Sequence, residues 1–150
     1  MHALMIVDVQ VAFHVPPDLV KKIRARCGEF PLRIYTQFVN PPGSIFRTHL
    51  NSTTCPPGDP QTELVIQPGP GDLLLVKSTY GLTEAHIAAL RERDVTEVTV
   101  AGVDTDACVL GVMFSLLDAG IVPHLASDLC WSSTGLHDEA VKIAEQQFQG

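Results

Sequence analysis

Several absences narrow the reading of this chain before any motif does. No apolar run approaches the roughly 18 residues that a membrane helix needs, so a membrane-spanning protein is not expected. No basic cluster exceeds "VKKIRAR" at 20–26, which reads as a solvated helix face, and the net charge is −7. Nucleic acid and anionic membrane are therefore not expected partners. The apolar start "MHALMIVDVQVAF" lacks a basic leading region, carries Asp8 inside the run and shows no small-residue cleavage site. It reads as structure and not as a signal peptide. The four cysteines, Cys27, Cys55, Cys108 and Cys130, show no CxxC or CxxxC spacing, which argues against a zinc ribbon or a redox motif. No internal repeat and no low-complexity tract is found. A reduced, cytoplasmic protein is the expectation.

What is present is a globular balance: 45% apolar and 18% charged residues over 150 positions, enough for one domain spanning 1–150 with a real core. Short apolar runs alternate with helical patterns. "ALMIV" (3–7), "LRIYTQ" (32–37), "LLLVK" (73–77), "EVTVAG" (97–102) and "IVPHLAS" (121–127) read as strands. Between them lie helices at "PPDLVKKIRARCG", at "LTEAHIAALRERD" with Thr83 as N-cap, and in a stretch that starts near Cys108 and stops at Gly120. In that last helix Val109, Val112, Met113, Leu116 and Leu117 form an apolar stripe. A final helix, "GLHDEAVKIAEQQF", closes the pattern. Such alternation predicts a three-layer α/β/α domain built on a Rossmann-like open parallel sheet of about five strands, the first of them central. Residues 38–71, rich in proline and glycine, read as a long functional excursion.

In sheets of this kind ligands sit beyond the carboxyl ends of the strands. Three ionisable residues fall there: Asp8, Lys77 and Cys108. Singly, each has an ordinary reading, as a turn cap, a solvated strand end and a small core residue. Together they supply a general base, a cation and a nucleophile. A free thiol has a pKa of about 8.5, and a helix N-terminus and an ammonium both favour thiolate. A carboxylate in hydrogen-bond reach can accept the thiol proton and return it to a leaving amine. Cys130 in "SDLCWSSTG" is the rival nucleophile, but no helix begins at its position, so it reads as pocket wall. Phe13, Phe46, Tyr80 and Trp131 stand on loops at the same sheet edge as pocket-lining candidates, or else cover the core. Asp106 reads as a cap for the Cys108 helix. His14, His86, His124 and His137 show no ligand spacing.

"IVDVQVAF", "LLLVKSTYG" and "VAGVDTDACV" together resemble, in order, the motifs of the isochorismatase-like cysteine hydrolases. The resemblance implies a catalytic triad of Asp8, Lys77 and Cys108. It also implies a cis peptide at Val103–Asp104, with the backbone N–H groups of Asp104 and Cys108 forming an oxyanion hole. Two departures stand out. Nicotinamidases of that family hold a metal through an Asp and histidines after the second strand. Here "TQFVNPPGSIFRTHL" has Phe38 and Asn40 there and only His49 further on, so no metal and no other cofactor is expected. The family also adds a strand where this chain reaches Gly150, so the last strand is expected to be missing and one sheet edge exposed.

The expected function is hydrolysis of a C–N bond in a small amide or ureide through a Cys108 thioester, with Asp8 as acid and base and Lys77 as electrostatic support. Two alternatives remain: an isochorismatase cleaving a vinyl ether, a branch that uses no cysteine nucleophile, and a non-catalytic binding or assembly module. The resemblance implies oligomers. The apolar residues Ile45, Phe46, Leu50, Leu64, Val65 and Ile66 of the 38–71 loop also point to a homodimer or higher homo-oligomer.

Overall fold

The computed structural model of the chain describes residues 1–149; Gly150, where the resemblance implies a missing strand, lies outside the described residues. Five strands alternate with helices: β1 (His2–Val7), α1 (Pro17–Arg26), β2 (Arg33–Phe38), the single turn α2 (Ile45–Thr48), β3 (Leu73–Lys77), α3 (Glu84–Glu92), β4 (Glu97–Val103), α4 (Leu110–Asp118), β5 (Val122–Trp131) and α5 (His137–Phe148). The strands form one parallel sheet in the order β3-β2-β1-β4-β5, with β1 central as expected. This is the open parallel sheet flanked by helices that the strand-helix alternation predicts.

β1 is apolar without alternation because helices cover both of its faces. Met5 and Val7 pack with Leu90 of α3 and with Val112, Met113 and Leu116 of α4. Leu4 and Ile6 pack on the opposite face with Leu19 and Ile23, one helical turn apart on α1. Among the described residues, no helix is long and apolar enough to cross a membrane.

The structure corrects several local expectations. β5 does not end at Ser127. Val100 pairs with Leu125 but Gly102 pairs with Cys130, so the strand bulges through the intervening residues and continues to Trp131. Polar Ser127 and Asp128 inside the bulge hide that continuation. Cys130 consequently lies in the sheet and joins the core cluster around Met5 and Val98; it is not pocket wall. Leu117 is exposed and drops out of the apolar stripe of α4.

The long loop after β2 folds back on its own sheet. Gln10 forms an antiparallel bridge with Leu64, and Val11 N–H donates to Glu63 O while Val65 N–H donates to Val9 O. Phe46, Leu64 and Ile66 are thereby buried within the chain, and only Ile45 (66% exposed) and Leu50 (50%) of the loop's apolar residues named above stand well into solvent. The inference that this whole apolar set needs a partner is corrected accordingly.

Candidate active site

Asp8 follows the last residue of β1, in a left-handed conformation with φ 51°, and is almost completely buried. Its carboxylate is held from two strands. Thr36 Oγ1 of β2 donates to Oδ1 at 2.7 Å, and Lys77 Nζ of β3 donates to Oδ2 at 3.0 Å. β3 is two strands from β1, about 10 Å away at ordinary strand spacing, so a long side chain is needed to cross beside β2. Lys77 does this with its side chain 0% exposed. Its other ammonium hydrogens reach Thr79 O at 2.8 Å and Tyr80 O at 3.1 Å, which satisfies all three donors. The Phe38 ring lies 5.6 Å from the same nitrogen.

Cys108 sits in a π-helical turn, Thr105–Val109, between β4 and α4. Burial pushes its thiol pKa up, the Asp8 carboxylate pushes it further, and Lys77 pulls it back only in part. Asp8 and Lys77 are the charged groups that act on the sulfur. Desolvation and the adjacent carboxylate thus outweigh the ammonium, which by itself favours thiolate.

The acidic turn before Cys108 has another use. Asp104 accepts from Ser133 N and Ser133 Oγ, both at 3.0 Å, and Asp106 accepts from Ser132 Oγ at 2.5 Å and Thr134 Oγ1 at 2.8 Å. Burial raises the Asp106 pKa, but these two hydroxyls bring it below the usual carboxylate range. Asp106 therefore ties down the 132–134 loop; it does not cap the helix. The Val103–Asp104 peptide is cis. Gly102 directly before it has φ 119°, and a Cβ there would stand 2.2 Å from Val7 O, so only glycine lets β4 lie this close to β1.

A cavity of about 180 Å³ opens over these groups, lined by Asp8, Cys108, Val103, Asp104, Phe13, Phe38, Phe46 and Tyr80 among others. Phe38, Phe46 and Tyr80 form an edge-to-face series with centroids 4.9 and 5.1 Å apart. Trp131 is not in this wall. It pairs in register with Val103 and packs among the α1-side core residues, a consequence of the longer β5. A larger groove of about 440 Å³ runs between β5 and α5, away from Asp8 and Cys108.

Sequence reasoning missed three supporting residues. Thr36 and Gln10 are fully buried polar side chains inside apolar stretches, and that misfit was the available signal. Gln10 Nε2 donates to Phe38 O at 2.9 Å and Thr62 O at 2.8 Å, and its Oε1 accepts from Phe38 N–H at 2.8 Å, clamping the pocket loop to β1. Phe38 itself is the third. The residues after β2 do not fit the metal site that the resemblance implies for nicotinamidases. Phe38 offers no donor atom, while the Asn40 side chain is engaged with Ser52 O and with Ser44 Oγ. His49 stands exposed.

The isochorismatase domain profile matches residues 2–149. The chain belongs to the isochorismatase family. No curated protein matches it by sequence. Among solved structures, nicotinamidase from Bacillus subtilis superposes with a TM-score of 0.83 at 18% identity, covering 98% of this chain and 96% of that one. A cysteine hydrolase from Pseudomonas syringae pv. phaseolicola gives 0.84 at 18% identity, covering 98% and 85%. N-carbamoylsarcosine amidase from Thermoplasma acidophilum gives 0.81 at 18%, covering 98% and 92%. At these identities the likeness is one of fold, and hydrolysis is the activity shared across the named neighbours.

Proposed function

We propose that this isochorismatase family member is a cysteine hydrolase that cleaves a C–N bond of a small amide or ureide. The observation that carries the reading is the buried contact of Lys77 with Asp8 at 3.0 Å, with the Cys108 thiol as their shared neighbour. In the proposed first step Asp8 accepts the thiol proton as sulfur attacks the carbonyl carbon, and Lys77 balances the charge left behind. The oxyanion of the tetrahedral intermediate is received by the backbone N–H groups of Asp104 and Cys108, a contribution of about 3 kcal/mol per donor. Asp8 then returns the proton to the departing nitrogen, leaving a thioester on Cys108. Water, deprotonated by Asp8, releases the acid. No metal or other cofactor takes part.

The two amidase neighbours support C–N cleavage, and the cysteine itself speaks against the vinyl-ether branch. The misfit of Phe38 and Asn40 to a metal speaks against a metal-holding nicotinamidase. The test is intact-mass measurement of the protein incubated with amides and ureides. An acyl adduct that disappears in Cys108→Ala is the expected result. A panel in which neither adduct nor product forms would favour the binding-module reading.

The proposal includes a homodimer or higher homo-oligomer that closes the pocket. Its support is that Leu50 and Tyr80 line the cavity and yet stay about half exposed, with Ile45 of the same loop exposed as well. Sedimentation at micromolar concentration is expected to give a multiple of the 16.2 kDa chain, and a clean monomer rejects it.

A further inference from the structure

At the opposite end of the sheet from the triad, three side chains converge that the catalytic reading does not use. His2 begins β1, Glu97 begins β4 and His124 lies near the start of β5. The parallel register sets His2 beside Glu97, and Thr99, two residues further along β4, beside His124. Side chains two apart along a strand share a face, so all of these project to the same side. One ligand atom from each of His2, Glu97 and His124 lies within 4.8 Å of the others.

We propose that His2, Glu97 and His124 form a surface site for a borderline divalent metal ion such as zinc, stapling β1, β4 and the edge strand β5 together. The geometry is close to what the ion needs. Zinc bonds of about 2.0–2.1 Å in tetrahedral array set neighbouring donors about 3.3 Å apart. Glu97 Oε2 stands 2.9 Å from His124 Nε2 and 3.9 Å from His2 Nδ1, values on either side of that spacing. Closing the set takes small side-chain rotations and no backbone movement.

The surroundings supply the support a ligating histidine needs. His2 Nε2 is 2.8 Å from Thr99 Oγ1, and donation from Nε2 leaves the Nδ1 lone pair directed at Glu97. The Phe30 ring packs edge-on against His2 at 5.5 Å, and the Met1 amine is anchored to Asp94 O at 2.8 Å, which together hold the strand end in place. On binding, the metal takes the Nε2 lone pair of His124 that faces Glu97, and the ring proton moves to Nδ1 or to solvent. Two imidazoles and one carboxylate suit zinc, cobalt or nickel; calcium and magnesium prefer all-oxygen shells. Solvent completes the coordination.

The test uses untagged protein stripped with EDTA, in a Cys108→Ala background so that the pocket thiol does not compete. Titration with zinc chloride is expected to show one ion per chain. At zinc about 100-fold above its dissociation constant, Tm is expected to rise by about 5 °C or more. His124→Gln and Glu97→Gln, at largely exposed positions that leave the core intact, are each expected to weaken binding at least about 10-fold and to abolish the Tm rise. Cobalt bound at the site is expected to show visible absorption without a thiolate charge-transfer band. No saturable binding, or binding that both variants leave unchanged, would overturn the site and leave Glu97 and His124 as an ion pair only. Either result is independent of whether Cys108 forms a thioester.

Discussion

Asp8→Asn separates a proton acceptor from a merely structural carboxylate, because two readouts should move in opposite directions. The Asp8 carboxylate lines the same cavity as the Cys108 thiol and raises its pKa. A unit charge about 4 Å away, at an effective dielectric constant of about 20, is worth about 4 kcal/mol, a ceiling of roughly three pKa units. Allowing for relaxation, removal of the charge is expected to lower the thiol pKa by about two units. The thiolate fraction at neutral pH then rises about 100-fold, while the weaker base loses about 10-fold in intrinsic nucleophilicity. Alkylation of Cys108 by iodoacetamide, followed by peptide mass spectrometry, should therefore become about 10-fold faster. Turnover should fall at least about 100-fold, because asparagine neither accepts the thiol proton nor protonates the leaving nitrogen. Lys77 loses its buried counter-ion, at a cost of about 3–5 kcal/mol, so Tm must be recorded alongside. A folded variant that alkylates no faster than the parent, or that keeps a tenth of kcat, would refute the assignment of Asp8 as base.

Thr36→Val, which keeps shape but removes the 2.7 Å bond to Asp8 Oδ1, is expected to lower kcat about 10-fold with KM little changed and to cost about 1–3 kcal/mol of stability; an unchanged kcat would make Thr36 purely structural. Alkaline stability should fall steeply: burial pushes Cys55 up to about 11 and Cys130 up to about 12, well above the roughly 8.5 of a free thiol. Their protonated forms favour folding fully below about pH 8.5, and that contribution is lost as pH rises towards those values, at about 1.4 kcal/mol per unit for the buried Cys130. Denaturant unfolding between those limits, with Cys130→Ala showing a shallower slope, checks this. EDTA is expected to leave turnover intact even where it lowers Tm, and loss of turnover restored by zinc would overturn the metal-free mechanism.

The fold was legible because each strand buried on both faces reads as an unbroken apolar run, and helices with caps such as Thr83 punctuate them. Asp8 and Lys77 were legible because an ionisable group at the end of such a run has no packing purpose there. What stayed hidden depends on partners distant in sequence. Cys130 and Trp131 looked like loop residues because Ser127 and Asp128 interrupt the hydrophobic pattern at the bulge. Asp106 looked like a cap because its real partners, Ser132 and Thr134, arrive only with the loop after β5. His124 showed no ligand spacing because its neighbours His2 and Glu97 are brought to it by strand register and not by any interval along the chain.

The central position of β1 also orders the events of synthesis. Leu4 pairs with Arg33 on one side and with Thr99 on the other. As the chain leaves the ribosome, β1 and β2 can meet early, but the second edge of β1, apolar on both faces, must wait until β4 has emerged. Cys108 follows β4 directly, so its thiol enters the structure in the same event that covers that edge. Long-range parallel pairing of this kind is slow and exposes unpaired strand edges meanwhile. Nascent chains stalled between β3 and β4 should therefore be the species that chaperones hold, and a chain that has acquired its thiol site is one that has already passed its most aggregation-prone stage.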